Sequence, residues 1–127
     1  MTKLHKHLIV QAKITNPPKQ ADCEKVCVWL ENLVHKINME VLRKASAEYC
    51  DDIGNRGMTA DVLLKTSHMI LHTWDEETVP YIEYDLYTCS HLDIEPVFEG
   101  LRSMFGAYDI RYKFLDRYEG LVIIQEN

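Results

Sequence analysis

Two segments with helical periodicity lie inside a chain whose other segments resemble β-strands. Between Ala21 and Asn38 apolar residues recur every three or four positions, the spacing of one helix face. The second segment follows Asp93, a helix-capping residue type, and runs to about Gly106. Its Pro96 falls in the first turn, where a missing N–H does little harm. Each segment therefore predicts one amphipathic helix with its apolar side on a core.

Seven stretches of the remaining sequence predict strands, through alternation or through β-branched and aromatic residues. They are residues 4–14, 39–50, 58–65, 68–74, 81–89, 108–116 and 120–125. The third and fourth stretches could equally be one strand interrupted near residues 65–67. The last two read as a hairpin through Arg117–Gly120.

The order of these elements is strand, helix, several strands, helix and two strands. This order predicts an α+β fold, a two-layer α/β sandwich in which two helices cover one face of a mostly antiparallel sheet. A chain of 127 residues suits a single domain over residues 1–127. The other face of the sheet would be open to a partner or a substrate.

The charge balance argues against nucleic acid and anionic membranes as partners. The chain has 14 Lys and Arg against 20 Asp and Glu, a net charge of −6, whereas phosphates attract an excess of cations. The sequence has no secretory leader pattern and no run of about 20 apolar residues. We therefore expect a cytoplasmic protein, with a cationic substrate or partner left open.

A hydroxyl, an imidazole and a thiol lie near one another in the middle of the chain. The stretch KTSHMILHTW, residues 65–74, places Ser67 five residues before His72, and the later stretch DLYTC ends in Cys89. A serine hydrolase of the nucleophile-elbow type needs Gly-x-Ser-x-Gly, which is absent. On a strand, His68 and His72 would lie about 13 Å apart, so they cannot share a metal ion and no metal site is expected. Strand residues without chemistry remain the other reading.

A longer pattern surrounds these residues. The stretch GMTADVLLKTSHMILHTWDE, residues 57–76, is followed by YDLYTC, which ends at Cys89. In order and spacing it resembles the core signature of the prokaryotic S-adenosylmethionine decarboxylases, which reads G-V-S-G, a hydrophobic strand, E-S-H, IHTWPE and then DxFTCG. The resemblance implies a pyruvoyl-dependent decarboxylase of S-adenosylmethionine in polyamine (spermidine) biosynthesis.

The resemblance also implies that the chain makes its own cofactor. Ser67 Oγ would attack the carbonyl of Thr66, which converts the amide into an ester. Loss of the Ser67 α-proton and β-elimination would follow, and hydrolysis of the resulting dehydroalanine would leave a pyruvoyl group. The products would be residues 1–66 and residues 67–127.

Three further roles carry over from the family pattern. His72 would be the processing base, and Thr59 would supply the processing hydroxyl, where the family has serine. In turnover the pyruvoyl carbonyl would form a Schiff base with the substrate amine, and Cys89 would return a proton to the substrate carbon. The family's small members dimerise with the active site near the interface, so a homodimer or a higher homo-oligomer is expected.

The match is least close at the substrate-binding positions, which leaves two alternatives open. Glu76 stands at the ribose-binding acid, but Ile53 occupies the position of an aromatic that stacks on adenine. Asp51 and Asp52 would suit a cationic amine, so ornithine or arginine is an alternative substrate. Thr66 replaces the family's glutamate, so a homologue that does not process and serves as a binding or regulatory subunit is the other alternative.

Overall fold

The computed structural model describes residues 4–127, which form a seven-stranded sheet and two α-helices. In chain order the elements are β1 (Lys6–Ile14), α1 (Cys23–Lys36), β2 (Val41–Cys50), β3 (Gly57–Leu64), β4 (Ser67–Trp74), β5 (Tyr81–Thr88), α2 (Glu95–Phe105), β6 (Ala107–Asp116) and β7 (Val122–Glu126). Neighbouring strands are antiparallel, in the order β2-β3-β4-β5-β1-β6-β7. The predicted α+β fold is confirmed, and residues 57–74 form two strands rather than one.

The hydrophobic core lies between one face of the sheet and the two helices. In β1 the alternate residues from Leu8 to Ile14 are at most 2% exposed, and β3, β4 and β5 show the same alternation. Trp29 of α1 packs edge to face on Phe105 of α2, with ring centroids 5.0 Å apart. Both helices therefore lie on the same side of the sheet and bury their apolar sides there.

The second helix begins and ends close to the positions that the sequence predicts. The Asp93 carboxylate accepts a hydrogen bond from the N–H of Glu95 at 3.2 Å, at the start of α2. Gly106 ends the helix in the left-handed conformation, with φ of 64°. A Cβ there would lie 2.0 Å from Thr15 Oγ1, so glycine also permits the close return of the chain into β6. Among the described residues, neither helix is long and apolar enough to cross a membrane.

The β3–β4 hairpin sets the positions of the residues singled out from the sequence. A two-residue turn joins its strands, and Thr66 in this turn has a left-handed φ of 61°. Leu64 pairs with Ser67 next to the turn, whereas Thr59 pairs with His72 near the other end. The change of chain direction thus comes before Ser67, and β4 continues from Ser67 without a bend.

The far end of this hairpin is aligned by Gly57, the first residue of β3. A Cβ at this position would lie 1.6 Å from the carbonyl oxygen of Thr73, so any side chain would displace one strand. The N–H of Met58 also donates to Thr73 Oγ1 at 2.9 Å. These contacts fix the start of β3 against the end of β4.

The sheet face opposite the helices is left uncovered by the described residues. It carries the side chains that alternate with the buried ones, and a shallow depression lies across its middle. Residues that line this depression include Ile70, His72, Glu83 and Arg111. We call this surface the open face.

Candidate active site

Polar groups meet where β4 begins and β5 ends, and we call Thr66, Ser67, Thr88 and Cys89 the serine cluster. The backbone N–H of Cys89 donates to Ser67 Oγ at 3.1 Å. The Ser67 hydroxyl donates to Thr88 Oγ1 at 3.4 Å. Thr88 is fully buried, and its Oγ1 also accepts a bond from the N–H of Ser90 at 3.0 Å. The Ser67 hydroxyl is therefore oriented by a backbone donor and by a fixed side chain.

The peptide bond before Ser67 lies in a strained turn. A β-branched residue such as Thr66 is disfavoured in the left-handed region, by about 1–2 kcal/mol. The thiol of Cys89 donates to the carbonyl oxygen of Thr66 at 3.2 Å. Cys89 thus contacts both sides of this peptide bond, with its N–H on the hydroxyl and its thiol on the carbonyl.

A second set of side chains lies on the open face, and we call Thr59, His72, Trp74 and Tyr81 the imidazole cluster. Thr59 Oγ1 lies 3.0 Å from His72 Nδ1, a hydrogen bond that orients the ring. The rings of His72 and Trp74 are 6.0 Å apart, and Trp74 stacks on Tyr81 with centroids 4.8 Å apart. The cluster combines an imidazole with a flat aromatic surface.

The serine and imidazole clusters are separated within one chain. Ser67 and His72 are five residues apart on β4, which corresponds to about 17 Å along a strand. They also have opposite parity, because Ser67 alternates with residues on the other face from His72. The structure brings Ser67 next to Cys89, and Thr59 next to His72, but it does not bring these two pairs together in one copy.

Of the two residues expected to bind substrate, Ile53 lies in the loop between β2 and β3, and Glu76 follows β4 and contacts this loop. Glu76 accepts a hydrogen bond from the N–H of Gly54 at 2.6 Å and one from Arg56 at 3.2 Å. Arg56 also contacts Asp51 at 2.9 Å. Ile53 is 86% exposed at the tip of the loop. Both oxygens of Glu76 are therefore engaged by its own chain, and Ile53 offers an aliphatic rather than an aromatic surface.

A hydrogen bond on the neighbouring strand supports this loop. The Tyr49 hydroxyl donates to the carboxylate of Asp75 at 2.6 Å. This hydrogen bond, together with partial burial and the negative charge of Asp75, raises the pKa of Tyr49 to about 12. The contact joins the end of β2 to the residue that follows β4.

Sequence patterns do not single out Tyr87, which the structure places beside the serine cluster. Its hydroxyl lies 2.7 Å from His5 Nδ1 and 3.7 Å from Cys89 Sγ. The guanidinium of Arg117 lies over its ring, 4.9 Å from the centroid. Alternation along β5 could have placed Tyr87 on the open face. The approach of His5 and Arg117 depends on strand order, which no local signal gives.

The serine cluster fits a pyruvoyl group generated from the chain itself. It contains a serine with an oriented hydroxyl, a strained preceding residue and a thiol on the adjacent carbonyl. Within residues 4–127, no group of three or more His, Cys, Asp or Glu side chains is arranged to hold a metal ion. The chemistry of the donors at this site suits backbone rearrangement at Ser67.

Comparison with known proteins identifies relatives of this chain. The family model described as S-adenosylmethionine decarboxylase matches residues 6–118. The S-adenosylmethionine decarboxylase proenzyme of Pyrococcus abyssi is 30% identical over 108 residues, which cover 84% of this chain and 73% of that protein. The proenzyme of Pyrococcus horikoshii is 29% identical over 108 residues, which again cover 84% of this chain and 73% of that protein. The arginine decarboxylase proenzyme of Aeropyrum pernix is 33% identical over 70 residues, 54% of this chain and 52% of that protein.

The family match covers nearly all the strands and both helices, and it includes the serine and imidazole clusters. The chain belongs to the S-adenosylmethionine decarboxylase family.

Proposed function

We propose that the chain is a self-processing, pyruvoyl-dependent decarboxylase of S-adenosylmethionine that acts in polyamine (spermidine) biosynthesis. The observation that carries this proposal is the double contact of Cys89 with the Thr66–Ser67 peptide, through N–H to hydroxyl and thiol to carbonyl. A merely structural serine would not require a strained residue before it and a donor on the preceding carbonyl. The family match supplies the class of reaction.

The contacts of Cys89 would assist the first step of cleavage. As the Ser67 Oγ–carbon bond forms, negative charge develops on the Thr66 carbonyl oxygen, which already accepts a hydrogen bond from the thiol. The carbon–nitrogen bond then breaks, the nitrogen gains a proton, and an ester replaces the amide. Relief of the left-handed conformation at Thr66 favours this rearrangement.

The imidazole of His72 is proposed to remove the Ser67 α-proton in the next step. If Nδ1–H donates to Thr59 Oγ1, Nε2 keeps its lone pair and can accept a proton. In the mature protein the pyruvoyl group supplies an electron sink for the electrons released with CO₂. Cys89 then donates a proton to the substrate carbon, because its thiol is adjacent to residue 67.

The distance between the two clusters supports a homodimer in which each site uses both copies. One chain holds its Ser67 about 17 Å from its own His72 along β4, too far for direct proton transfer. A two-fold interface repeats each contact, so two packed copies can place the imidazole cluster of one beside residue 67, at the start of β4, of the other. Such a dimer has two equivalent sites.

Complementation tests the shared site. Ser67→Ala and His72→Ala chains, distinguished by a tag, are expected to remain uncut when each is made alone. When they are co-expressed, about half of the His72→Ala chains should be cut, because random pairing places about half of them beside a partner with an intact imidazole. Absence of cleavage in the mixture, with dimers present, would contradict a site built from two copies.

The intact mass of the purified chain tests the function itself. We expect fragments 1–66 and 67–127, the second beginning with a pyruvoyl group, and release of CO₂ from S-adenosylmethionine. Ser67→Ala should give only the full-length chain and no CO₂. A wild-type chain that stays uncut after long incubation would indicate a non-processing subunit instead.

A second candidate substrate is supported by the loop between β2 and β3. Ile53 provides no aromatic surface for adenine, and Arg56 occupies one oxygen of Glu76. Asp52 is exposed in the same loop and suits a cationic amine, whereas the neighbouring Asp51 is paired with Arg56 at 2.9 Å. A similar protein from Aeropyrum pernix is named arginine decarboxylase proenzyme. Release of CO₂ from arginine or ornithine but not from S-adenosylmethionine would establish this alternative.

A further inference from the structure

The geometry points to a proton relay in which Tyr87 and His5 position and recharge the thiol of Cys89. This inference rests on the proposed function, in which Cys89 donates the proton of turnover. Neither Tyr87 nor His5 needs to touch the substrate, so both act as positioning residues. The relay explains why a phenol and an imidazole meet beside the serine cluster.

The three groups form a continuous chain of contacts. Cys89 Sγ lies 3.7 Å from the Tyr87 hydroxyl, which is within hydrogen-bond range for sulfur. The same hydroxyl lies 2.7 Å from His5 Nδ1. His5 is partly exposed, so its ring can exchange protons with water. A proton can therefore pass from solvent to the thiol through two hydrogen bonds.

The Tyr87 hydroxyl is suited to carry a proton in either direction. A hydrogen bond that the Tyr87 hydroxyl donates to the Cys89 sulfur, followed by partial burial, raises the pKa of Tyr87, and the guanidinium of Arg117 opposes this shift. The phenol thus stays protonated at neutral pH. A neutral hydroxyl can accept a hydrogen bond from a thiol and can donate one to a thiolate.

The relay balances its protons in one concerted step. After Cys89 has given its proton to carbon, its sulfur takes the proton of the Tyr87 hydroxyl. The Tyr87 oxygen simultaneously takes a proton from Nδ1–H of a protonated His5. The result is a thiol, a neutral phenol and a neutral imidazole, and hydronium or a buffer acid in the solvent then returns a proton to His5. No tyrosinate is formed, and no oxidant or reductant is needed.

Cleavage would increase the importance of this contact. In the uncut chain the nearer partner of the Cys89 thiol is the Thr66 carbonyl at 3.2 Å. Once the bond after Thr66 breaks, that carbonyl belongs to a new chain end. Of these two partners, only the Tyr87 hydroxyl, on the strand just before the thiol, stays fixed.

Charged groups from every neighbouring element face Tyr87 and must be considered in a pH experiment. The carboxylate of Asp85 contacts His7 at 2.6 Å and His68 at 3.8 Å, and Arg117 contacts His7 at 3.0 Å. These groups come from β5, β1, β4 and the turn after β6. His5 differs from the other two imidazoles because it alone shares a hydrogen bond with the Tyr87 hydroxyl in the contacts described.

The test measures the reactivity of Cys89 in the full-length Ser67→Ala chain, which needs no decarboxylase activity. Iodoacetamide labelling is followed from pH 5 to pH 9, and each cysteine is quantified by mass spectrometry after digestion. We expect the labelling rate of Cys89 to change with pH in two steps, one that depends on the thiol itself and a lower one that depends on His5 through Tyr87. Tyr87→Phe and His5→Gln should each abolish this lower step. The other cysteines are internal references in the same digest (Cys23, Cys27 and Cys50).

Matched variants separate the relay from a structural effect. Tyr108→Phe makes the same change at an exposed position and should leave both steps in place. In the chain with Ser67 intact, Tyr87→Phe should be cut as completely as the wild type, while kcat falls about tenfold and KM is unchanged. A single-step labelling profile, or a lower step that survives either Tyr87→Phe or His5→Gln, would overturn the relay. That result would not affect the test of cleavage by intact mass.

Discussion

The serine cluster and the imidazole cluster are built in different ways. Ser67 is held by a backbone N–H, by the buried Thr88 and by a strained turn, all within one copy. His72 is oriented by one side chain, Thr59, on an exposed part of the open face. Backbone and buried contacts leave little freedom, whereas a surface pair can adapt to a second molecule. The first cluster is therefore positioned by its own chain, whereas the imidazole of the second lies where another molecule can reach it.

The largest effect of a single substitution is expected at His72. His72→Ala should slow cleavage at least about 100-fold, because general-base catalysis contributes that much or more. The rate is followed on denaturing gels from the time of refolding. His35→Ala, on the exposed side of α1, is the control and should be cut normally. Cleavage of His72→Ala at the wild-type rate would show that the imidazole cluster takes no part in processing.

A comparable effect is expected at Cys89, but on turnover. Cys89→Ser keeps the backbone N–H on Ser67, so the chain should still be cut, while kcat for decarboxylation falls about 100-fold. Stopped assays of CO₂ release measure the loss, and Cys50→Ser is the matched control. Equal losses of cleavage and of turnover would show that the two functions of the serine cluster cannot be separated.

A smaller effect is expected from the strained turn. Asn tolerates the left-handed region, so Thr66→Asn should slow cleavage about tenfold, since a barrier rise of about 1.4 kcal/mol gives tenfold. In the Ser67→Ala background the same substitution should raise the free energy of unfolding by about 1 kcal/mol, measured by denaturant titration. Thr66→Val keeps the β-branch, so it should neither slow cleavage nor raise the free energy of unfolding. A faster cut in Thr66→Asn would show that the strain does not assist cleavage.

A few-fold change in the cleavage rate is expected at Thr59, which belongs to the imidazole cluster. Thr59→Ser keeps the hydroxyl on His72 and removes a methyl group, so cleavage should become up to about 5-fold faster. Thr59→Val keeps the branched shape, removes the hydroxyl and should be slower than the wild type. If both variants behave alike, the hydroxyl does not orient the imidazole.

The smallest effect concerns pH and the support of the loop between β2 and β3. The pKa of Tyr49 is raised from 10.0 to about 12 in the folded chain, so folding favours its neutral form. This stabilisation is fully present below about pH 10 and is lost as pH rises through about 12. Denaturant midpoints measured from pH 9 to 11.5 should fall less steeply for Tyr49→Phe than for the wild type. Tyr108→Phe should follow the wild-type curve.

Local sequence patterns were sufficient for the elements of the fold. Apolar residues recur with a period of two in β1 and of 3.6 in α1, because in each element they face the same core. The pattern within each element therefore identifies its buried side. The resemblance also identified Ser67, His72 and Cys89 as residues to examine together. What links them was not predictable, because strand pairing joins residues that are distant in sequence.

Two particular contacts could not be predicted from the sequence. The turn at Thr66 decides that Ser67 pairs with Leu64, and this register keeps His72 at the opposite end of the hairpin. Nothing in the polar Lys-Thr-Ser stretch indicates whether the chain bends within a strand or reverses before it. The approach of His5 to Tyr87 similarly depends on β1 lying beside β5. Both contacts arise from non-local pairing.

The strand order has a consequence for the cut protein. The first fragment would contain β1, β2 and β3, and the second would contain β4, β5, β6 and β7. Because β1 lies between β5 and β6, and β3 lies beside β4, the fragments are interleaved in one sheet and share three strand boundaries. Separating them would mean breaking all three boundaries and pulling a central strand out of the core. A cut enzyme of this topology is one folded body made from two polypeptides, and it holds together without a covalent link.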